Sequence, residues 1–309
     1  MTTVGNTQAS VGAATSALSE DGRAKVNLTL RVVGRRVDGY HDLESVVAFA
    51  DCADRLSLTP GSELDLKTTG PLAQDCGDIA DNLVFKAAQL LGEHVPGLQL
   101  GDFVLDKKLP VAAGIGGGSA DAAAALRLLA RANGLALDDP RVIRVAQMTG
   151  ADVPVCLASR ACVMTGVGES LQPLSLPKMP CVMVNPCVPV ATRDVFSALG
   201  LRSGELLVGA TDVILRDRSW PEGGASIGDW ITAFAEVGND LEAPALRIQP
   251  VIGEVLSAIG KAGGVRLARM SGSGATCFGI FEAGAEAQAA AEQILLAHPQ
   301  WWVHAGTLG

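Results

Sequence analysis

The sequence predicts an α+β protein arranged as two domains, and three features carry that expectation. Length is the first: 309 residues exceed what one hydrophobic core commonly organises, and 48% of them are apolar. The second is an opening segment with period-two alternation, followed later by a glycine-dense loop that runs into an alanine-rich helix. The third is the latter half, where helical and strand patterns alternate beyond a proline-rich stretch at Pro173–Pro180. That stretch marks the boundary, giving domains at residues 21–176 and 177–309. Residues 1–20 are small and polar, with no basic or apolar signal region, and read as a disordered extension.

Composition narrows the function. A formal charge of −9 speaks against a nucleic-acid binder, so anionic ligands must be met by local positive features. No apolar run approaches the roughly eighteen residues of a membrane-spanning helix. Seven cysteines without a C-x-x-C pair, and four scattered histidines, suit reduced thiols in a cytoplasm rather than disulfides or a metal site.

Taken in order, Arg23–Val33 alternates: Ala24, Val26, Leu28, Leu30 and Val32 face one way, Lys25, Asn27, Thr29 and Arg31 the other. That makes one half-buried strand, whose polar face is either solvated or turned as an amine–amide pair toward a ligand. The turn Gly34–Gly39 leads to Tyr40, the only tyrosine, and to His41, ahead of a strand through Val46, Val47 and Phe49. A phenol ring and an imidazole after a tight turn suit stacking on a flat base and bonding its edge; a plain surface turn is the alternative. Short strands follow at Leu56–Leu58 and Leu64–Lys67. A helix capped by Asp81–Asn82 then carries Val84, Ala87, Ala88 and Leu91 at helical spacing. The strand Phe103–Leu105 delivers Lys107, Lys108 and Pro110 to the glycine loop.

In that loop, Gly114, Gly116, Gly117 and Gly118 let the backbone take positive φ and approach a ligand closely. Ser119 stands at the N-cap or first turn of a helix running to Asn133–Gly134. A helix start offers unpaired N–H groups and the positive end of its dipole, so a polyphosphate is a natural guest. A flexible loop before an ordinary helix is the plainer alternative. A Walker loop needs lysine after its last glycine, and none is here. A dinucleotide fingerprint needs a third glycine where Ser119 stands, and an acid about twenty residues on, where Asp138 is the nearest.

The next helix starts at Asp138–Pro140 and stops at Gly150. Asp152 then sits alone in the apolar run Ala151–Leu157, costly unless paired or used, which makes it a catalytic candidate or a helix cap. Beyond the boundary come a strand at Cys181–Asn185 and a short helix from Thr192 bearing Val195, Phe196 and Leu199. Residues 203–228 read as loop. Helices are expected at Trp230–Val237, Pro244–Ile259 and Ala285–Ala297, with strands at Val265–Met270, Cys277–Phe281 and Trp302–His304. No internal repeat is present.

Together these segments resemble the kinase superfamily named after galactokinase, homoserine kinase, mevalonate kinase and phosphomevalonate kinase. The resembling parts are the early strand Ala24–Leu28, the loop Pro110–Ala120 and the late glycine motif Ser271–Ala275. More narrowly, Arg36–Ser45, Gly114–Ala123, Gly150–Pro154 and Asn239–Glu242 are similar to the branch that phosphorylates a cytidine diphosphate sugar-alcohol ester in non-mevalonate isoprenoid synthesis. The resemblance implies a ribosomal-protein-S5-like first domain, a ferredoxin-like second domain and an active site in the cleft between them. It implies ATP as phosphoryl donor, with Mg2+, and the 2-hydroxyl of the ester as acceptor. Asp152 would be the catalytic carboxylate and Lys25 the amine polarising the acceptor hydroxyl. Asn27, Tyr40 and His41 would hold the cytidine substrate, with Phe196 a second stacking ring. Pro110, Ala113, Gly114, Ile115, Gly116, Gly117, Gly118, Ser119 and Ala120 would form the ATP-phosphate loop, with Asn82 and Lys107 near adenine.

The resemblance names no metal ligand, Ser119 being the one candidate. Two departures from the family pattern are Ile115 for leucine, and Val155–Cys156 where aromatics are frequent. A cytoplasmic monomer or homodimer is expected, acting on small molecules and on neither nucleic acid nor membrane. The alternatives are another kinase of the superfamily (for homoserine, mevalonate or a sugar) and a nucleotide sensor, which would need neither Lys25 nor Asp152.

Overall fold

A computed structural model describes residues 17–207 and 220–309. In the first half, β3 (His41–Gly61) is the spine. It pairs antiparallel with β1 (Leu18–Asn27), β2 (Arg31–Arg35), β5 (Leu100–Asp106) and β6 (Cys162–Gly166). The strand β4 (Leu64–Thr69) adds to β5 in parallel, and β7 (Ser170–Pro173) adds to β6. Four helices, α1 (Leu83–His94), α2 (Gly117–Ala132), α3 (Pro140–Thr149) and α4 (Val153–Ala158), pack against this sheet. Phe49, Leu56, Leu58, Phe103, Leu126 and Val145 fill the space between, where alanines along α2 let it lie close.

The expected single strand over Arg23–Val33 is two. The chain breaks at Leu28–Thr29, where the Thr29 hydroxyl accepts from the Val46 amide, and resumes as β2. Nor is the strand half-buried, because Lys25, Asn27 and Thr29 are as enclosed as the apolar face. The glycine loop and the late glycine motif cover that face: Lys25 N donates to Ile115 O, and Asn27 N to Ser271 Oγ. The expected extension also stops short of residue 20. Leu18, Ser19 and Glu20 pair with Leu58, Ser57 and Leu56 in β1, and Arg131 grips Glu20. Residues 1–16 of that extension lie outside the described residues.

The second half carries β8 (Met179–Asn185), β9 (Leu267–Met270), β10 (Cys277–Ile280) and β11 (Trp302–Leu308). They form an antiparallel sheet in the order β11-β8-β10-β9. With α8 (Val251–Gly260) before β9 and α9 (Gly284–Ala297) before β11, this is the split βαβ arrangement of a ferredoxin-like domain. The helix expected over Pro244–Ile259 is α7 (Glu242–Ile248) and α8, interrupted at Gln249–Pro250, where the proline starts the second helix instead of continuing the first. The short α5 (Thr192–Ser197) and α6 (Ile227–Ala235) complete the half. A reciprocal Ser226–Asp229 capping box starts α6 three residues before Trp230. Of the expected loop, Leu206 bridges to Gly34 and 220–226 lead into α6, while residues 208–219 lie outside the described residues.

The proline-rich stretch lies between β7 and β8. The halves are nonetheless joined by one sheet: Leu308 of β11 pairs with Ala50 of β3, and Phe49 and Gly309 exchange backbone bonds of 3.2 and 3.1 Å. Asp51 latches the junction, accepting from Thr307 N at 2.9 Å and Thr307 Oγ1 at 3.1 Å, with His304 Nε2 at 2.8 Å. Val26, Ala48, Met183, Trp230, Phe234 and Phe278 form a shared core behind it. Among the described residues no helix is long and apolar enough to cross a membrane.

Candidate active site

The cleft between the halves encloses about 570 Å3 and is lined by Lys25, Asn27, Asp152 and the glycine loop. Asp152 stands at the N-cap position of α4, but its side chain makes no capping bond. Its carboxylate meets the Lys25 amine at 3.0 Å instead, with the lysine side chain 4% and the aspartate 35% exposed. The amine is thus fixed inside the protein and the acid reaches the open cleft. Lys25 also donates to Asn27 Oδ1 at 3.0 Å, and Asn27 Nδ2 to Ser45 Oγ at 2.7 Å. Ser45 Oγ donates in turn to Thr29 O at 2.6 Å, so this polar row is satisfied and its rotamers are set.

Beside this row lies the glycine loop. Gly116, at φ 62°, is the N-cap of α2, and the first helical bond runs from Ala120 N to Gly116 O. Ser119 is therefore in the first turn, not the cap, and the amides of Gly117, Gly118 and Ser119 precede the ladder. Ala113, Gly114 and Gly116–Ser119 line the cleft, whereas Pro110, Ile115 and Ala120 are buried behind it. Gly114 needs its lack of side chain: at φ 74°, a Cβ would lie 2.6 Å from Ser271 O and 2.7 Å from Gly274 O. Ser271 Oγ donates to Gly114 O at 3.0 Å, and Thr276 N to Ala113 O. The late glycine motif thereby presses on the phosphate loop from the second half.

A neighbouring recess of about 410 Å3 shares Leu43, Ala151, Thr192 and Phe196 with the cleft and adds Arg35, Tyr40 and His41. The His41 ring stacks on Phe196, centroids 4.5 Å apart and 26° between planes. Tyr40 is 61% exposed, its ring free to receive a planar partner. Burial, with Arg35 nearby, holds the His41 imidazole below its ordinary value, so it works as a neutral donor–acceptor. A larger cavity of about 660 Å3 contains Arg36 with its partners Asp42 and Glu169, but neither Lys25 nor the glycine loop.

The two residues expected near adenine both have partners within the fold. The Asn82 side chain caps α1, accepting from Val84 N at 2.9 Å, and it is Leu83 that lines the cleft. The Lys107 amine is buried against Asp54 Oδ2 at 2.5 Å and Asp121 Oδ2 at 2.8 Å, spent on two carboxylates beneath the loop. Sequence reasoning missed those acids, and it gave the Asn239–Glu242 stretch no task. Asn239 Nδ2 donates to Met270 O and Gly272 O, Asp240 accepts from Val32 N, and Glu242 accepts from Met270 N. That stretch holds the late glycine motif and β2 in register. Its dense run of carboxylates and amide was the available signal.

A glycine loop at a helix start beside an amine–carboxylate pair, in a cleft between an α/β half and a ferredoxin-like half, is the arrangement of a small-molecule kinase. Comparison with known proteins agrees: residues 82–160 match the GHMP kinases N terminal domain and residues 223–299 the GHMP kinases C terminal domain. The chain is 75% identical over 94% of its length to a 4-diphosphocytidyl-2-C-methyl-D-erythritol kinase of Bradyrhizobium diazoefficiens, covering 98% of it. A relative of the same name from Rhodopseudomonas palustris is 70% identical over 95% of each chain. A crystal structure of 4-(cytidine 5'-diphospho)-2C-methyl-D-erythritol kinase superposes with a TM-score of 0.71 at 36% identity, covering 94% of this chain and 99% of that one. A homoserine kinase from Cytophaga hutchinsonii shares the fold, with a TM-score of 0.69 at 15% identity over 97% of this chain and 98% of that one. The chain belongs to the 4-diphosphocytidyl-2-C-methyl-D-erythritol kinase family.

Proposed function

We propose that the chain transfers the γ-phosphoryl group of ATP to the 2-hydroxyl of 4-diphosphocytidyl-2-C-methyl-D-erythritol, a step toward isoprenoid precursors. The observation that carries this reading is the 3.0 Å contact of Lys25 and Asp152 in a cleft shared with the glycine loop. The acceptor is a tertiary alcohol, a poor nucleophile until its proton has somewhere to go. Asp152 takes that proton as the hydroxyl oxygen bonds to the γ-phosphorus and the bond to the β–γ bridging oxygen breaks, leaving ADP; the proton then passes to solvent. Lys25 faces the developing alkoxide, and Asn27 holds the amine in place. The amides of Gly117–Ser119, with the α2 dipole behind them, receive the triphosphate. A cytosine ring stacks on Tyr40, while His41, braced by Phe196, addresses its edge.

Magnesium would neutralise the β- and γ-phosphates, with the Ser119 hydroxyl as the candidate protein ligand. Among the described residues no group of three or more His, Cys, Asp or Glu is placed to hold a metal, so the nucleotide would carry most of its ligands. ATP as donor and free cysteines throughout the described residues support a cytoplasmic setting. The deciding experiment is a phosphoryl-transfer assay with the cytidine ester beside homoserine, mevalonate and galactose. ADP formation with the cytidine ester alone is expected. Equal turnover of any other acceptor sinks the assignment.

A further inference from the structure

We infer that Lys107, Asp54 and Asp121 are positioning residues for ATP: a buried clamp ties both ends of the glycine loop to one ammonium group. The three residues are 3%, 0% and 2% exposed and come from three places in the fold. Asp54 lies on β3. Its Oδ1 accepts from Lys108 N at 2.6 Å and Leu109 N at 2.8 Å, fixing the backbone that leads into the loop, and its Oδ2 receives Lys107 Nζ. Asp121 lies one turn into α2, where the loop has ended, and its Oδ2 receives the same ammonium at 2.8 Å.

The ammonium also lies beneath the loop's far end. A Cβ on Gly117, the first residue of α2, would stand 3.3 Å from Lys107 Nζ and 3.9 Å from Asp54 Oδ2. Gly117 is thus seated on the charge cluster, and its neighbours Gly118 and Ser119 face the cleft above it. The other ties on the loop, from Lys25, Ser271 and Thr276, hold only Ala113, Gly114 and Ile115. The clamp holds what those ties leave free: the spacing between the strand end at Leu109 and the helix start at Gly117.

A buried ion cluster of this kind gives little net stability over an apolar core, because desolvation offsets the attraction. Its distinctive effect is geometric. Two carboxylates converging on one ammonium set a single separation for the elements that carry them, and amides held at that separation meet a triphosphate without reorganising. Asp121 Oδ1 has no partner in the fold and faces the backbone of Gly22, where a Cβ would lie 2.6 Å away. Only its other oxygen works, so replacing Asp121 tests the far half of the clamp while Asp54 and Lys107 stay paired.

This inference rests on the reading of the loop as an ATP site. The test uses the full chain, with calorimetric binding of a non-hydrolysable ATP analogue alongside steady-state kinetics for both substrates. For D121A, the Kd of the analogue and the KM for ATP should each rise about tenfold, as expected for a displaced cradle. In the same variant kcat at saturating ATP and the KM for the acceptor should hold within about twofold. D121N keeps the volume and an oxygen that accepts from Lys107, so it should recover most of the lost affinity. It also carries the test if D121A does not fold, with an expected rise in Kd of about threefold. Unchanged nucleotide affinity in the folded variants overturns the clamp, as does a parallel rise in both KM values. A wild-type chain that fails to bind the analogue overturns the loop reading, and the clamp with it.

Discussion

In the proposed reaction, Asp152 is the residue on which turnover would depend most directly. D152N keeps the shape of the side chain and removes its ability to take a proton. Turnover should fall by about 10²–10⁴, the usual worth of a general base, while ATP-analogue affinity stays within about twofold. Calorimetry beside a coupled ADP assay checks both halves. A second expectation at this scale concerns acidity. Burial, opposed by Lys107, pushes the Asp121 carboxyl up to about 7 from 3.8. Folding therefore favours the protonated form: its contribution is whole below the unfolded value and is lost as pH rises through the folded one. D121N is neutral throughout, so its melting temperature should gain on wild type between about pH 4 and about pH 7. A constant gap across that range counts against the raised carboxyl.

Asp152 stood out in the sequence as a lone acid in an apolar run, whereas Lys25 continued the polar face of an alternating strand and was singled out only by the family resemblance. Lys107 was visible as a lysine at the entrance to the loop, but its partners were not. Nothing local tells that Asp54, fifty-three positions earlier, encloses it.

Among the elements, the glycine loop shows how one position serves two halves. Gly114 turns at φ 74° with the carbonyls of Ser271 and Gly274 where a side chain would begin. G114A should destabilise the fold by about 1–3 kcal/mol through strain and force the two motifs apart. The KM for ATP should rise with it, and denaturant unfolding with nucleotide kinetics reads both effects. The loop itself was plain from its composition. The burial of both faces of β1 was not, because alternation reports the chain's own pattern and the covering residues, Ile115 and Ser271, lie far along it. The break between α7 and α8 was readable, since Pro250 inside a helical pattern is itself a stop signal.

For the whole molecule, the seam between β3 and β11 decides whether the halves act as one body. D51A removes the acceptor of Thr307 N and Oγ1 and should loosen the seam by about 1 kcal/mol. Amide exchange at Phe49 and Gly309 should then quicken several-fold, while the β3–β5 amides keep their protection. Equal acceleration everywhere would mean that the latch acts on global stability alone. The two-domain class followed from length and pattern. The shared sheet did not, because the register that brings Leu308 to Ala50 depends on two elements some 250 positions apart.

That seam has a consequence for how the protein comes into being on the ribosome. Amine, acid and phosphate loop are all translated in the first half, yet Asn239, Ser271 and finally Trp302–Leu308, which hold them in place, emerge only afterwards. A nascent chain thus carries every reacting group long before it has a working cleft, and premature termination ahead of Trp302 would release an inert product.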